Sequence, residues 1–378
     1  MEKKFSMVIT AQHLFDGVNS SEYEGYLCLK DNRIVQKEKG KPSKEILEQS
    51  DHVLQFTEEL VMPGITDTHT FFTGYAVFHV GADLSEVRDN KKGLEILEAY
   101  EKKHNPKEVL LGHGWQPEKW NRQDGEQMLE ENYSDRPVIL FAADRSTCMM
   151  NLAAKKKYQF TPETCYPESY YRVMSAYLND REFIDQEFSD YMTLMNSRGV
   201  TTVKEMGFDD FYGFTEYLKE MEENDRLRMR IHFMSQPVGA PMNLPYARKM
   251  RDQFTGDKVR FSGFNRMTDG TIASGKGELK EAYAGKDYIC TENIPWEEIE
   301  ADVLKADEEG FRWSLHAQGD GAVGKIADIY EKCQKSGGKL KNRHAITDME
   351  FTSPDDLERL GKLGGSAELY FQIMSLDP

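Results

Sequence analysis

Short apolar runs alternate with amphipathic stretches of ten or more residues over most of this chain, and no other feature restricts its fold as much. The apolar runs predict strands at residues 109–111, 138–141, 201–203, 229–233, 259–264, 312–315 and 345–346. Helical patterns fall between or after them, at 92–103, 182–197, 211–224, 296–309, 321–335 and 353–363. The last opens on Ser353, Pro354, Asp355 and Asp356, a helix start with proline in its first turn. Such alternation builds a parallel sheet, either open and doubly wound or closed into a barrel. An open nucleotide-binding sheet would show a glycine-rich phosphate turn early in the fold. The GxGxxG match here, residues 319–324, comes late, sets Asp320 beside the would-be phosphates, and continues into Lys325 and Ile326, where a P-loop needs a hydroxyl. The expected class is therefore α/β, with a closed barrel favoured over the open sheet.

Residues 1–60 carry short alternating runs around a turn at 31–33 and predict a small N-terminal β unit. Residues 61–378 predict the barrel, with an insertion at about 72–170, where clean alternation lapses and Tyr, Asn and charge dominate. The formal charge of −17 argues against a nucleic-acid groove or a polybasic membrane surface. No run of about 18 apolar residues predicts a membrane span, and the first residues lack the apolar core of a signal peptide. Five scattered cysteines without a CxxC spacing predict reduced thiols in a cytoplasmic protein. The expected partner is a small molecule, with neither nucleic acid nor membrane.

Several predicted strands end in groups that carry chemistry. Asp67 and His69 close the apolar run after Pro63 and Gly64; they are either site residues or a hydrogen-bonded strand-end pair. A residue two positions on would face the same way, and that residue is Phe71. His316 closes a short strand, as a metal ligand, a general base or a satisfied core group. Asp348 ends another strand as a plausible oxygen ligand, while His344 sits at that strand's beginning. Asp269 with Gly270 reads as a site acid or simply as a turn. Lys204 and Glu205 reach the site or pair with each other.

Taken in order, the segments 60–69, 112–120, 135–154, 199–207, 265–274, 315–320 and 343–357 resemble the family-3 amidohydrolases, the branch that includes N-substituted formamide deformylases. The resemblance implies a (β/α)8 barrel with a small β-sandwich, whose first half is the N-terminal β unit and whose second half follows the barrel. It also implies one or two divalent metals that activate water for hydrolysis of C–N bonds. Against the family pattern, His69 matches a ligand and Phe71 replaces one. Asn265 stands where a metal-bridging Lys is usual, Ser146 replaces a substrate-side His, and Asp348 replaces an imidazole. The last barrel strand and the return to the sandwich are not reached by Pro378, so the barrel is expected to be incomplete at its C-terminus. A further segment or a second copy of the chain, as a homo-oligomer, would have to cover the open edge.

The resemblance leaves one ligand set, His69, His316 and Asp348, suited to a single zinc, iron or manganese ion. Asp67 or Asp269 would then support a ligand or act as a substitute catalytic base. Trp115, Phe71 and Arg145 are expected to contact substrate. The expected activity is hydrolysis of a non-peptide amide or formamide C–N bond by metal-activated water. The alternative is a catalytically degenerate barrel that binds a small molecule with no metal at all.

Overall fold

Phe5–Leu14 (β1), buried at Phe5, Val8, Ala11 and Leu14, begins a mixed sheet with Tyr23–Lys30 (β2), Arg33–Lys39 (β3) and Ser50–Val61 (β4), in the order β3-β2-β1-β4. β2 lies antiparallel to β1 and β3, whereas β4 runs parallel to β1. Phe5, Val8, Tyr26 and Cys28 form its core, and Ile46 and Leu47 of a short helix, Lys44–Glu48 (α1), pack against them. In this computed structural model, which describes residues 3–70, 79–144, 147–165, 173, 181–206, 213–236 and 241–369, residues 1–65 form one compact unit and 66–378 another.

The chain continues through β5 (Ile65–Thr70), β6 (Ala82–Asp83), α2 (Asn90–His104), β7 (Leu110–Trp115), α3 (Arg122–Asn132), β8 (Val138–Ala142), β9 (Cys148–Met150) and α4 (Leu152–Tyr158). There follow α5 (Arg181–Ser197), β10 (Val200–Glu205), α6 (Phe214–Glu223), β11 (Arg230–Ser235), α7 (Leu244–Gln253) and β12 (Val259–Met267). The last described elements are α8 (Trp296–Glu308), β13 (Trp313–His316), α9 (Asp320–Lys332), β14 (Lys335–Ser336), β15 (Lys339–Leu340), β16 (Ala345–Thr347), α10 (Pro354–Leu363) and β17 (Ser366–Glu368). Ser353 caps α10 by accepting the Asp356 N–H, as its sequence predicts, and Gly364 ends it at φ 71.

Seven strands make one sheet in the order β17-β16-β13-β12-β11-β10-β5, with every pairing from β10 to β17 parallel. In a flat sheet β10 and β17 would lie about 24 Å apart, five spacings of about 4.8 Å. Yet Lys204 on β10 forms an ion pair with Glu368 on β17. Likewise His69 on β5 reaches Thr347 on β16, at 2.9 Å. The sheet therefore curls until its ends face each other, as a TIM-type barrel requires. Helices cover its outer surface: Val203, Ile231, Phe233 and Val259 pack with Phe188 and Leu218. Phe264, Trp313, Leu315 and Ile346 pack with Val303, Ile326 and Leu360. Because strand side chains alternate, the residues between these apolar ones point into the barrel, and they are polar: Lys204, Asn265, Ser314 and Thr347.

The strands expected at 109–111 and 138–141 do form, but not as staves of the barrel. As β7 and β8 they belong to a second sheet, β6-β7-β8-β9, parallel except for its antiparallel edge β9. Both its faces are buried, Leu111, Ile139 and Phe141 in one cluster and Leu110, Val138 and Leu140 in another. A strand buried on both faces has the same continuous apolar pattern whichever sheet it joins, so the pattern predicts the strands within the expected insertion but not the separate sheet they form. No described helix is long and apolar enough to cross a membrane.

Candidate active site

Barrel strands deliver the candidate residues to one end because parallel strands share a direction and their last inward side chains converge there. His69 is the penultimate residue of β5, His316 the last of β13, and Asp348 follows β16 directly. The His69 Nδ1 lies 3.5 Å from Asp348 Oδ1 and 2.9 Å from Thr347 Oγ1. The His316 Nε2 lies 4.0 Å from the other Asp348 oxygen. Asp348 thus stands between two imidazoles contributed by strands far apart in sequence. Its backbone is left-handed, at φ 60, a conformation costly for a non-glycine residue and often found at functional sites. Burial holds the His69 imidazole below its ordinary value; the nearby Lys204 adds to this, while Asp348 opposes it. A neutral ring with a free lone pair is the form that binds a metal or takes a proton.

Asp269 supports this cluster from behind. It is buried, and its two oxygens accept the backbone N–H groups of Gln318 at 3.0 Å, Gly319 at 2.9 Å and Glu278 at 2.9 Å. One of those oxygens lies 3.5 Å from the Nδ1 of His316. Thr268 donates its hydroxyl to the His316 carbonyl. Asp269 thus ties together the backbone at Gln318, Gly319 and Glu278, while the buried Nδ1 of His316 has no hydrogen-bond partner. The same contacts account for the glycines of the GxGxxG match. A Cβ on Gly319 would lie 2.0 Å from the Glu278 carbonyl oxygen, so close packing of backbone on backbone requires glycine there, and no phosphate is needed to explain it. Asp67 accepts the backbone N–H of His69 at 3.1 Å, which fixes the strand end locally.

The remaining predicted residues lie elsewhere. Trp115, expected at the substrate, is 1% exposed in the core of the second sheet and donates its indole N–H to the Trp120 carbonyl, because β7 is not a barrel strand. Phe71, Arg145 and Ser146 lie outside the described residues. Lys204, expected either at the site or paired with Glu205, joins three residues that the sequence did not single out, Ser314, Glu368 and Arg312. Lys204 pairs with Glu368, not with its neighbour Glu205, and donates to Ser314 Oγ at 2.8 Å. Ser314 in turn donates to Glu368 at 2.6 Å, and Arg312 reaches the other Glu368 oxygen at 3.0 Å. Burial pulls the Lys204 ammonium down to about 8, against the attraction of Glu368. The signal was available at Ser314: a lone polar residue between Trp313 and Leu315 in a buried strand.

Two imidazoles and a carboxylate are a donor set for zinc, iron or manganese. The separations of 3.5 and 4.0 Å match those between two ligands of one ion, about 3–4.4 Å for bonds of about 2.0–2.2 Å. A carboxylate–histidine pair that turns an imidazole toward a metal needs a hydrogen bond, and the 3.5 Å between Asp269 and the His316 Nδ1 is not one. The described group whose ligand atoms all lie within 4.8 Å of one another is a different one, Asp307, Cys333 and His344. His69, His316 and Asp348 would therefore draw together by side-chain rotation to share an ion. The Asp307 group is a poor metal site. The His344 Nδ1 accepts the Trp313 N–H at 3.0 Å, which leaves the proton on Nε2 facing Asp307 at 3.0 Å. Burial also pushes the Cys333 thiol up to about 12, far from the thiolate a metal needs.

A family model described as the amidohydrolase family matches residues 57–377. The chain is 19% identical over 402 residues to Protein LONG AFTER FAR-RED 3 of Arabidopsis thaliana, with 94% of this chain and 66% of that protein covered. It is 21% identical over 308 residues to the YtcJ protein of Bacillus subtilis (strain 168), covering 74% of this chain and 57% of that one. The chain thus spans between half and two thirds of the length of these curated relatives. Among solved structures it resembles an uncharacterized metal-dependent hydrolase from Pyrococcus furiosus, with a TM-score of 0.72 and 18% identity, over 98% of this chain and 78% of that one.

Proposed function

Because the chain belongs to the amidohydrolase family, we propose that it hydrolyses a non-peptide C–N bond, in an amide or formamide, at the centre made by His69, His316 and Asp348. The observation that carries this reading is the meeting of the three side chains, at 3.5 and 4.0 Å, on one end of one curled sheet. His69 and His316 would hold a single divalent ion through ring nitrogens and Asp348 through its carboxylate. Such an ion lowers the pKa of bound water toward about 7 and polarises a carbonyl. Thr347 steadies His69 through its hydroxyl, and Asp269 carries the opposite charge 3.5 Å from the His316 Nδ1. The expected substrate is a small molecule.

A second reading, a barrel that binds a small molecule without metal chemistry, draws support from Asn265 and Asp348 in place of the expected Lys and His. It is also favoured by the three ligand atoms standing wider apart than one ion allows. Elemental analysis of protein dialysed against zinc or manganese decides between them, alongside assays on N-formyl and N-acyl amines. The hydrolase reading expects about one equivalent of metal, lost in His69→Ala and in His316→Ala together with any amide hydrolysis. Wild type that takes up no more metal than these variants would refute it.

A further inference from the structure

The end of the barrel opposite His69 and His316 carries a concentration of positive charge that is out of keeping with a chain of net charge −17. β11 begins with Arg230, β12 carries Arg260 as its second residue, and Arg312 immediately precedes β13. Alternation fixes their direction. Ile231, Val259 and Trp313 point outward into the helix layer, so the residues beside them, Arg230, His232, Arg260 and Arg312, face the barrel interior. Register sets Lys204, His232 and Arg260 in one row across β10, β11 and β12, with Arg230 two residues before that row on β11 and Arg312, which precedes Trp313, beside Gly263, three residues after Arg260 on β12. Neighbouring strands are about 4.8 Å apart, so these side chains share one mouth.

Electrostatics and hydrogen bonding agree that the charges converge and are not neutralised. The His232 imidazole is held below its ordinary value first by burial, then by Arg260, Arg230 and Arg312 together. Glu368 is the carboxylate that meets this group, and it is already shared between Lys204 and Arg312. The Nε of Arg312 is buried without a partner. Arg230 and Arg260 are exposed, and neither is held by an ion pair or hydrogen bond among the described residues. Guanidinium groups left open around a concave mouth are a receptor for an anion rather than a solvated surface with its own counter-charges.

We propose that this N-terminal mouth of the barrel binds a small phosphate-type oxyanion, at a site separate from the His69 centre and independent of what reaction that centre performs. Two open forks, Arg230 and Arg260, with the spare Nε of Arg312 beside them, suit a tetrahedral dianion, whose several oxygens accept from different directions; a monocarboxylate is satisfied by one fork. The ligand is either free phosphate or the phosphate group of a small ester.

Isothermal titration calorimetry of the full chain tests this, with inorganic phosphate, phenyl phosphate and acetate at ionic strength held constant with chloride. Arg230→Gln and Arg260→Gln alter exposed side chains, and Arg122→Gln, on the second sheet's helix α3, serves as a distant control. The expected result is saturable binding of about one equivalent of phosphate or phenyl phosphate, weakened at least about ten-fold in each mouth variant and unchanged in the control. Tighter binding of phenyl phosphate identifies an ester as the ligand, and equal or weaker binding identifies free phosphate. No saturable heat with either phosphate, acetate binding as well as phosphate, or mouth variants that bind like wild type would each overturn the proposal.

Discussion

Lys204 lies 5% exposed in the barrel interior, and replacing it with methionine makes a stability signature that can be calculated from its surroundings. Burial pulls its ammonium from the ordinary 10.5 to about 8, even with Glu368 beside it. The unfolded chain therefore binds a proton on this residue between pH 8 and 10.5 that the folded chain releases. Stability from Lys204 must then rise with pH across that window and stay flat below it. The drop of about 2.5 units corresponds to about 3 kcal/mol. Lys204→Met lacks this contribution, so wild type should gain up to about 3 kcal/mol relative to the variant between pH 7.5 and 10.5. Urea unfolding of both proteins at pH 7.5, 9 and 10.5 measures it, because taking their difference removes the tyrosines and remaining lysines that titrate in the same range. The same cycle bounds Glu368→Gln. With Glu368 present the Lys204 ammonium stands at about 8, so discharging it at pH 7 costs one further unit, about 1.4 kcal/mol. Loss of Glu368 can thus add at most about 1.4 kcal/mol through Lys204, and about 1 kcal/mol for each of its hydrogen bonds to Ser314 and Arg312. A wild type that loses ground to Lys204→Met as pH rises would mean that attraction to Glu368 outweighs burial, and the reasoning would fail.

Asp269→Ala strands the buried N–H groups of Gln318, Gly319 and Glu278, at about 1–3 kcal/mol for each donor left unsatisfied; chemical denaturation should show a loss of at least about 3 kcal/mol. Gly319→Ala forces a Cβ against the Glu278 carbonyl and should cost about 1–3 kcal/mol or more in the same assay, with added phosphate restoring nothing at this position. Of the five cysteines, Cys290 is partly exposed and the other four are buried, so a native thiol titration should report one fast-reacting group that Cys290→Ser removes. His344→Ala should destabilise the fold by about 2–4 kcal/mol, since it empties a fully buried site and strands Trp313 N–H and Asp307; metal content should not change.

Periodicity is a property of neighbouring residues, so the sequence alone determined where most strands and helices of the barrel form, from the apolar runs of β11, β12 and β13 to the Ser353 start of α10. The order of strand-end motifs likewise carried the family resemblance, and it named His69, His316 and Asp348 before any contact was known. What it could not contain is which strand lies beside which. β7 and β8 were legible as strands inside the stretch expected as an insertion, but burial on both faces erases the alternation that would tell one sheet from another, so their separate sheet was not. Lys204 meets Glu368, 164 positions away in the chain, only because curling brings distant strands face to face, and the three mouth arginines share one end only because β11, β12 and β13 lie side by side in the sheet. Charge pairs across a closed ring leave no local trace, since each partner's surroundings are set by residues remote in sequence, and only the tertiary structure decided them.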